Sequence, residues 1–149
     1  MIIGRHMATM LVPGFTLEPT PGLGNLVRCA EEVGCWCYEP DGDFFKDPIL
    51  NPPRVVRFDN VIMNPPYSDS QQGWTFLEPC LDLSCNIVIL APWILLINSG
   101  KRIDRLIKFG IQSVTHLPRK TFPGSRVQTC VIHLNKHHPG PTELRYFNF

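Results

Sequence analysis

No stretch of this chain approaches the ~20 consecutive apolar residues that a membrane-spanning helix needs, so no membrane association is expected. Charge of one sign is equally scarce: fourteen Lys and Arg against thirteen Asp and Glu leave a net charge of +1. That balance excludes the strongly basic surface by which many nucleic-acid binders announce themselves. Any basic patch must be local, and Lys101, Arg102, Arg105, Lys108, Arg119, Lys120 and Arg126 are the candidates. The plain alternative is that they are solvated helix and loop faces. A secretory signal is also missing, since Ile2-Ile3-Gly4-Arg5 is followed by no long apolar core. A cytoplasmic location is expected, where thiols stay reduced, and the six cysteines then read as small apolar residues. Cys35-x-Cys37 and Cys80-x4-Cys85 have no second pair at zinc spacing, and His137-His138 reads as a polar tail, so no metal is expected.

What remains is ordinary globular composition, 44% hydrophobic and 18% charged, without repeats or low-complexity linkers. One domain over residues 1–149 is expected. Apolar spacing predicts helices over 3–12, 25–33, 74–83 and 101–109, with Gly34 and Gly110 as stops. Strands are expected at 15–17, 35–39, 58–63, 86–91, 111–117 and 127–134, and residues 46–57 read as irregular. The continuous run NIVILA at 86–91 suits a parallel strand covered on both faces. Alternation of strand and helix points to an α/β, Rossmann-like sheet, mostly parallel and closing on a C-terminal antiparallel hairpin.

Three loops follow predicted strands and should gather at their carboxyl ends, where ligands of open α/β sheets sit. In LEPTPGLGN, Gly22 and Gly24 permit a tight turn into the next helix, or simply a structural turn. Glu18 and Pro19 open that loop. A carboxylate at Glu18 repels phosphate and suits a cationic group such as an amino-acid ammonium. Glu39 closes the second strand, where a carboxylate can accept both hydroxyls of a ribose. Asp43-Phe44-Phe45 offers an acceptor beside an apolar ring, or plain core. The third loop is Asn64-Pro65-Pro66-Tyr67. The Asn64 amide oxygen and the Pro65 carbonyl, fixed by the ring of Pro66, can hold the two protons of one planar amino group. Tyr67 adds a face for stacking.

These residues resemble the S-adenosylmethionine-dependent methyltransferases that modify exocyclic or amide nitrogens, especially the N6-adenine DNA methyltransferases. Asn64-Pro65-Pro66-Tyr67 matches their catalytic motif without a change, and Glu18-Pro19-x-x-Gly22-x-Gly24 resembles their cofactor loop. The resemblance runs from about Arg5 to Lys136. It implies S-adenosyl-L-methionine as cofactor, with Glu18, Pro19, Gly22 and Gly24 at its methionine portion, Glu39 at the ribose, and Asp43 and Phe44 at the adenine. It implies a helix over Arg5 to Leu11 closing on the methionine end, and Phe122 opposite Tyr67 across a flipped base.

Two departures set further expectations. Only Pro40-Asp41-Gly42 stands where the family has a helix and another strand, so one outer strand should be missing and the exposed edge invites a homodimer or a specificity partner. No separate target-recognition domain, which would bring side chains to base edges, is expected, since only about fifteen residues follow the last predicted strand. DNA is the expected substrate. RNA, a protein glutamine amide, and a non-catalytic or partner-dependent subunit are the alternatives.

Overall fold

The computed structural model describes residues 2–50, 57–68, 71 and 73–149; of the stretch read as irregular, residues 51–56 lie outside the described residues. The elements follow in the order α1 (Ile2–Ala8), β1 (Phe15–Leu17), α2 (Asn25–Glu31), β2 (Trp36–Tyr38), β3 (Asn60–Met63), α3 (Trp74–Cys80), β4 (Asn86–Pro92), α4 (Ile94–Ile97), α5 (Gly100–Phe109), β5 (Ile111–His116), β6 (Thr129–Asn135) and β7 (Glu143–Tyr146). One seven-stranded sheet has the order β2-β1-β3-β4-β6-β5-β7. β1 pairs in parallel with β2 and β3, β3 with β4, and β5 with β7, while β6 runs antiparallel to both β4 and β5.

The central strands show why a continuous apolar run was needed. Ile87, Ile89 and Ala91 of β4 join a core with Leu77, Leu95 and Leu106 on one face, whereas Val88 and Leu90 pack with Ile3 and Met7 of α1 on the other. β3 divides in the same way, with Val61 and Met63 opposite Ile62. A strand wetted on one face would have alternated. Polar side chains tie β3, β4 and β6 together near the starts of β3 and β4. Asn86 Nδ2 donates to Asn60 Oδ1 at 2.8 Å, and His133 Nε2 lies 2.7 Å from Asn86 Oδ1. Burial drives the His133 pKa down to about 4, so the neutral ring donates from Nε2.

Several expectations need correction. The antiparallel β5–β6 pair does not close the sheet, because β7 adds a parallel strand beyond β5. The first helix ends at Ala8, and the third strand starts at Asn60, with Phe58 making only an isolated bridge to Ser84. Residues 39–43 form no helix or strand, and β2 lies at one edge of the sheet with Trp36 63% exposed. The basic residues of α5 largely follow the plain alternative. Arg105 pairs with Glu78 at 2.7 Å, Lys108 pairs with Asp104 at 2.7 Å, and Arg102 lies over the Trp74 ring at 5.6 Å. No helix among the described residues is long and apolar enough to cross a membrane, and no group of three or more His, Cys, Asp or Glu among them could hold a metal.

Candidate active site

Parallel pairing of β1, β2 and β3 brings Glu18, Glu39 and Asn64, the residues that follow them, to one edge. The Glu18 amide donates to the Tyr38 carbonyl at 3.0 Å, which fixes the first loop against β2. Glu18 is only 1% exposed. Its Oε1 accepts from the Thr20 amide at 2.8 Å and from the Thr20 hydroxyl at 3.1 Å. Burial pushes its pKa up to about 8, the Glu39 charge adds to the rise, and the two Thr20 hydrogen bonds offset part of it. A carboxyl with four lone-pair sites and two donors from one residue has acceptor capacity left over. Gly22 and Gly24 stand at φ of 51° and 70°, left-handed values that a side chain would strain.

Three cavities follow this edge. The first, about 190 Å³, is lined by Glu18, Thr20, Gly22, Asn25, Leu26 and Asn64 among others. The second, about 460 Å³, shares Thr20, Pro21 and Gly22 with it and extends past Pro19, Asp43, Phe44, Pro66 and Phe76. The third, about 250 Å³, is lined by Asn64, Tyr67, Leu90, Phe122, Ser125, Val127 and Thr129. Asn64 therefore borders the first and the third together. A further cavity of about 540 Å³ lies at the opposite end of the sheet, around Asn86, His133 and Asn135, whose polar groups already bond to one another or to neighbouring chain.

Asn64 is exposed at the rim, Pro65 is buried and Tyr67 is half-buried. The Tyr67 hydroxyl donates to the Asn64 Oδ1 at 2.7 Å and also reaches the Leu90 carbonyl. A hydroxyl has one proton, so it serves one of these oxygens at a time and the Asn64 oxygen keeps a lone pair for a second donor. Burial raises the Tyr67 pKa, which keeps the phenol protonated and excludes it as a base near neutral pH. Behind this loop stands Gly73, at φ +85°, where a Cβ would come 2.7 Å from Pro65 Cγ and 3.7 Å from the Tyr67 ring.

The structure thus brings together Glu18, Pro19, Gly22, Asp43, Phe44, Asn64, Pro66, Tyr67 and Phe122 around adjoining cavities. Glu39 is exposed and lines none of the three. Phe44, 4% exposed, packs into the main core against Phe76 and leaves little surface free for a ligand. Asp43 accepts from the Phe45 amide at 3.0 Å and meets Lys46 at 3.6 Å. No residue of α1 lines these cavities; it packs on α2, with Arg5 bound to Glu32 at 2.9 Å. Sequence reasoning missed Gly73, which meets Pro65 and Tyr67 a short way back along the chain, and the Leu90 carbonyl, 23 residues from Tyr67.

No family profile matches this chain, and no curated protein matches it. Solved structures do share its fold. A chain named as the modification subunit of a type I restriction enzyme from Vibrio vulnificus superposes with a TM-score of 0.76 at 13% identity, over 97% of this chain and 45% of that one. The type I restriction-modification methyltransferase subunit from Streptococcus thermophilus gives 0.68 at 20% identity, over 92% and 44%. A chain named as a class I S-adenosylmethionine-dependent methyltransferase from Listeria monocytogenes gives 0.67 at 16%, over 97% and 62%. The present chain spans about half the length of these neighbours or somewhat more. Its α/β fold with a mixed seven-stranded sheet matches that of the chain named as a class I methyltransferase.

Proposed function

We propose that this chain transfers a methyl group from S-adenosylmethionine to the exocyclic N6 amine of adenine in DNA. The observation that carries the reading is the position of Asn64 between two cavities, one holding the buried Glu18 carboxyl and the other walled by Tyr67 and Phe122. Donor and acceptor molecules in those cavities would meet at Asn64. The fold it shares with chains named as type I modification subunits supports the reading.

The residues present fit the cofactor. A buried carboxyl with spare acceptor capacity suits an ammonium, and the adjoining cavity offers Pro19, Pro66 and Phe76 as apolar walls with Asp43 as acceptor. When bound, the sulfonium supplies an electrophilic methyl group. Asn64 and Pro65 then hold the protons of the target amine, which localises its lone pair on nitrogen. Tyr67 and Phe122 hold the ring, and stacking worth ~1–3 kcal/mol per base offsets part of the cost of extruding it. Positioning thus carries most of the acceleration. The edge strand β2 offers a surface for a partner subunit or second copy.

Labelled S-adenosylmethionine incubated with unmethylated DNA, the matching RNA and a glutamine-bearing protein tests the assignment. Label is expected on adenine N6 in DNA. Incorporation only into the glutamine amide would overturn the substrate, and none anywhere would overturn the enzyme.

Gly73 is the positioning residue of this arrangement. Gly73→Ala places a Cβ against Pro65 and holds alanine at positive φ, a strain of about 1–2 kcal/mol. The methylation rate constant is expected to fall roughly tenfold or more. Cofactor affinity by calorimetry should stay within about threefold, because Gly73 does not line the first or second cavity. Equal losses in both quantities would mean that Gly73 serves only stability.

A further inference from the structure

We infer that the β5–β6 connection, residues 117–128, is a clamp for the phosphodiester backbone flanking the base, built from Arg119, Lys120 and Arg126; this rests on reading the Tyr67–Phe122 cavity as a base pocket. The segment LPRKTFPGSRVQ carries three cations and no acid. Removing those three from the fourteen Lys and Arg leaves eleven against thirteen acids, so the rest of the chain is net −2. The near-neutral total conceals a locally basic loop in addition to the basic helix α5.

Its cations are also not consumed. Arg5, Lys46, Arg105, Lys108 and Arg145 are in ion pairs, whereas Arg119, Lys120 and Arg126 are in none among the described residues. Lys120 instead sits 5.1 Å from the Phe149 ring, which leaves its charge uncompensated. All three are exposed.

The loop that carries them is braced. Gln128 Nε2 donates to the Leu117 carbonyl at 2.5 Å, and the Trp93 amide donates to the Gln128 carbonyl at 3.0 Å. Within it, the Thr121 amide bonds to Pro118 at 2.9 Å and the Ser125 amide to Phe122 at 3.0 Å. Arg119 and Lys120 precede Phe122, and Arg126 lies between Ser125 and Val127, two residues that line the base cavity. Val127 is shared with a neighbouring cavity of about 330 Å³, lined by Pro92, Ile94, Arg126 and Gln128. An apolar floor with a guanidinium at its rim suits the face of a flanking nucleotide and its phosphate. A glutamine-bearing peptide would bring no row of anions to meet three cations.

The test is fluorescence anisotropy of a labelled adenine-containing single-stranded DNA, its RNA counterpart and a duplex, across a salt series. Combined Arg119→Ala, Lys120→Ala and Arg126→Ala should weaken single-strand binding at least tenfold at low salt and reduce the slope of log affinity against log salt by about 2, at ~0.7 per lost phosphate contact. Arg126→Ala alone should remove about 0.7 of that slope, which keeps the test decisive if the triple variant folds poorly. Arg105→Ala with Lys108→Ala should leave the slope unchanged. An unchanged slope in the loop variants, or a loss as large in the α5 control, overturns the clamp. Tighter binding of either the DNA or the RNA strand supports it and names the sugar. Calorimetry with S-adenosylmethionine separates the two claims: a slope loss without cofactor binding keeps the clamp and removes methyl transfer. Cofactor binding with no nucleic-acid affinity removes the clamp.

Discussion

Asn64→Ala is expected to lower the methylation rate constant by about 10²–10³-fold, the loss typical when one preorganised polar contact to a reacting group is removed. Cofactor affinity should change by no more than about threefold, because the substitution removes one rim residue of a cavity whose charged anchor is Glu18. The melting temperature should hardly move, since Asn64 is exposed and lies outside both hydrophobic cores. The pairing of these outcomes is what the geometry demands. Asn64 borders both cavities, yet it can supply only one acceptor oxygen, and that oxygen lies against the Tyr67 hydroxyl on the side of the third cavity. Label-transfer kinetics beside calorimetry on the same preparation read both quantities. Near-normal transfer by Asn64→Ala would remove the catalytic assignment, whereas a collapse of cofactor binding would make the residue part of the cofactor wall instead.

The place of Asn64 at the cavity rim was legible because Pro65, Pro66 and Tyr67, its neighbours in the chain, are also its neighbours there. Two prolines and a tyrosine next to an amide carry their geometry with them. Glu18 was legible for a similar reason, as an acid placed at the end of a short apolar strand before two glycines. Gly73 was not legible. Its role depends on Pro65 pressing against it, and no local pattern records that contact. The same holds for Arg105, whose partner Glu78 lies on another helix, so the α5 cations read as a candidate patch until the fold paired them. β7 escaped because it offers no burial pattern: all four of its residues are exposed, Leu144 to 78%, and it is held by parallel pairing to β5. Periodicity reports which side chains are buried, and a strand buried on neither face leaves no such trace. Glu39 follows β2 where it was placed; it is exposed and lines none of the three cavities, though its charge reaches Glu18.

If Glu18 holds the ammonium, cofactor affinity should depend on pH, with an optimum near pH 8. The free carboxyl titrates at about 8 because it is buried, with Glu39 adding repulsion. The other titratable groups near it are the Cys37 and Cys80 thiols, both held protonated by burial. An ammonium in the first cavity stabilises the ionised carboxylate, so binding below pH 8 must expel the Glu18 proton. Above pH 8 the ligand's own α-amino group, with an ordinary pKa of ~7.7–8.0, loses the proton that the pair requires. The product of the two competent fractions falls roughly 20-fold between pH 8 and pH 6, and the dissociation constant should rise by that factor. Stability of the unliganded protein runs the other way. The folded pKa lies above the unfolded value of 4.5, so folding binds a proton across that interval, and stability falls as pH rises from about 4.5 to about 8. The thermal shift produced by S-adenosylmethionine should therefore widen toward pH 8, from a lower unliganded melting temperature. Glu18→Gln keeps an oxygen for the Thr20 amide but cannot ionise. It should bind at least about tenfold more weakly than the parent at pH 8, and its affinity should be flat from pH 6 to about 7.5, where the ligand remains protonated. A parent profile as flat as that of Glu18→Gln would show that the ammonium is held elsewhere, and the buried carboxyl would then be a strand-end brace for Thr20 alone.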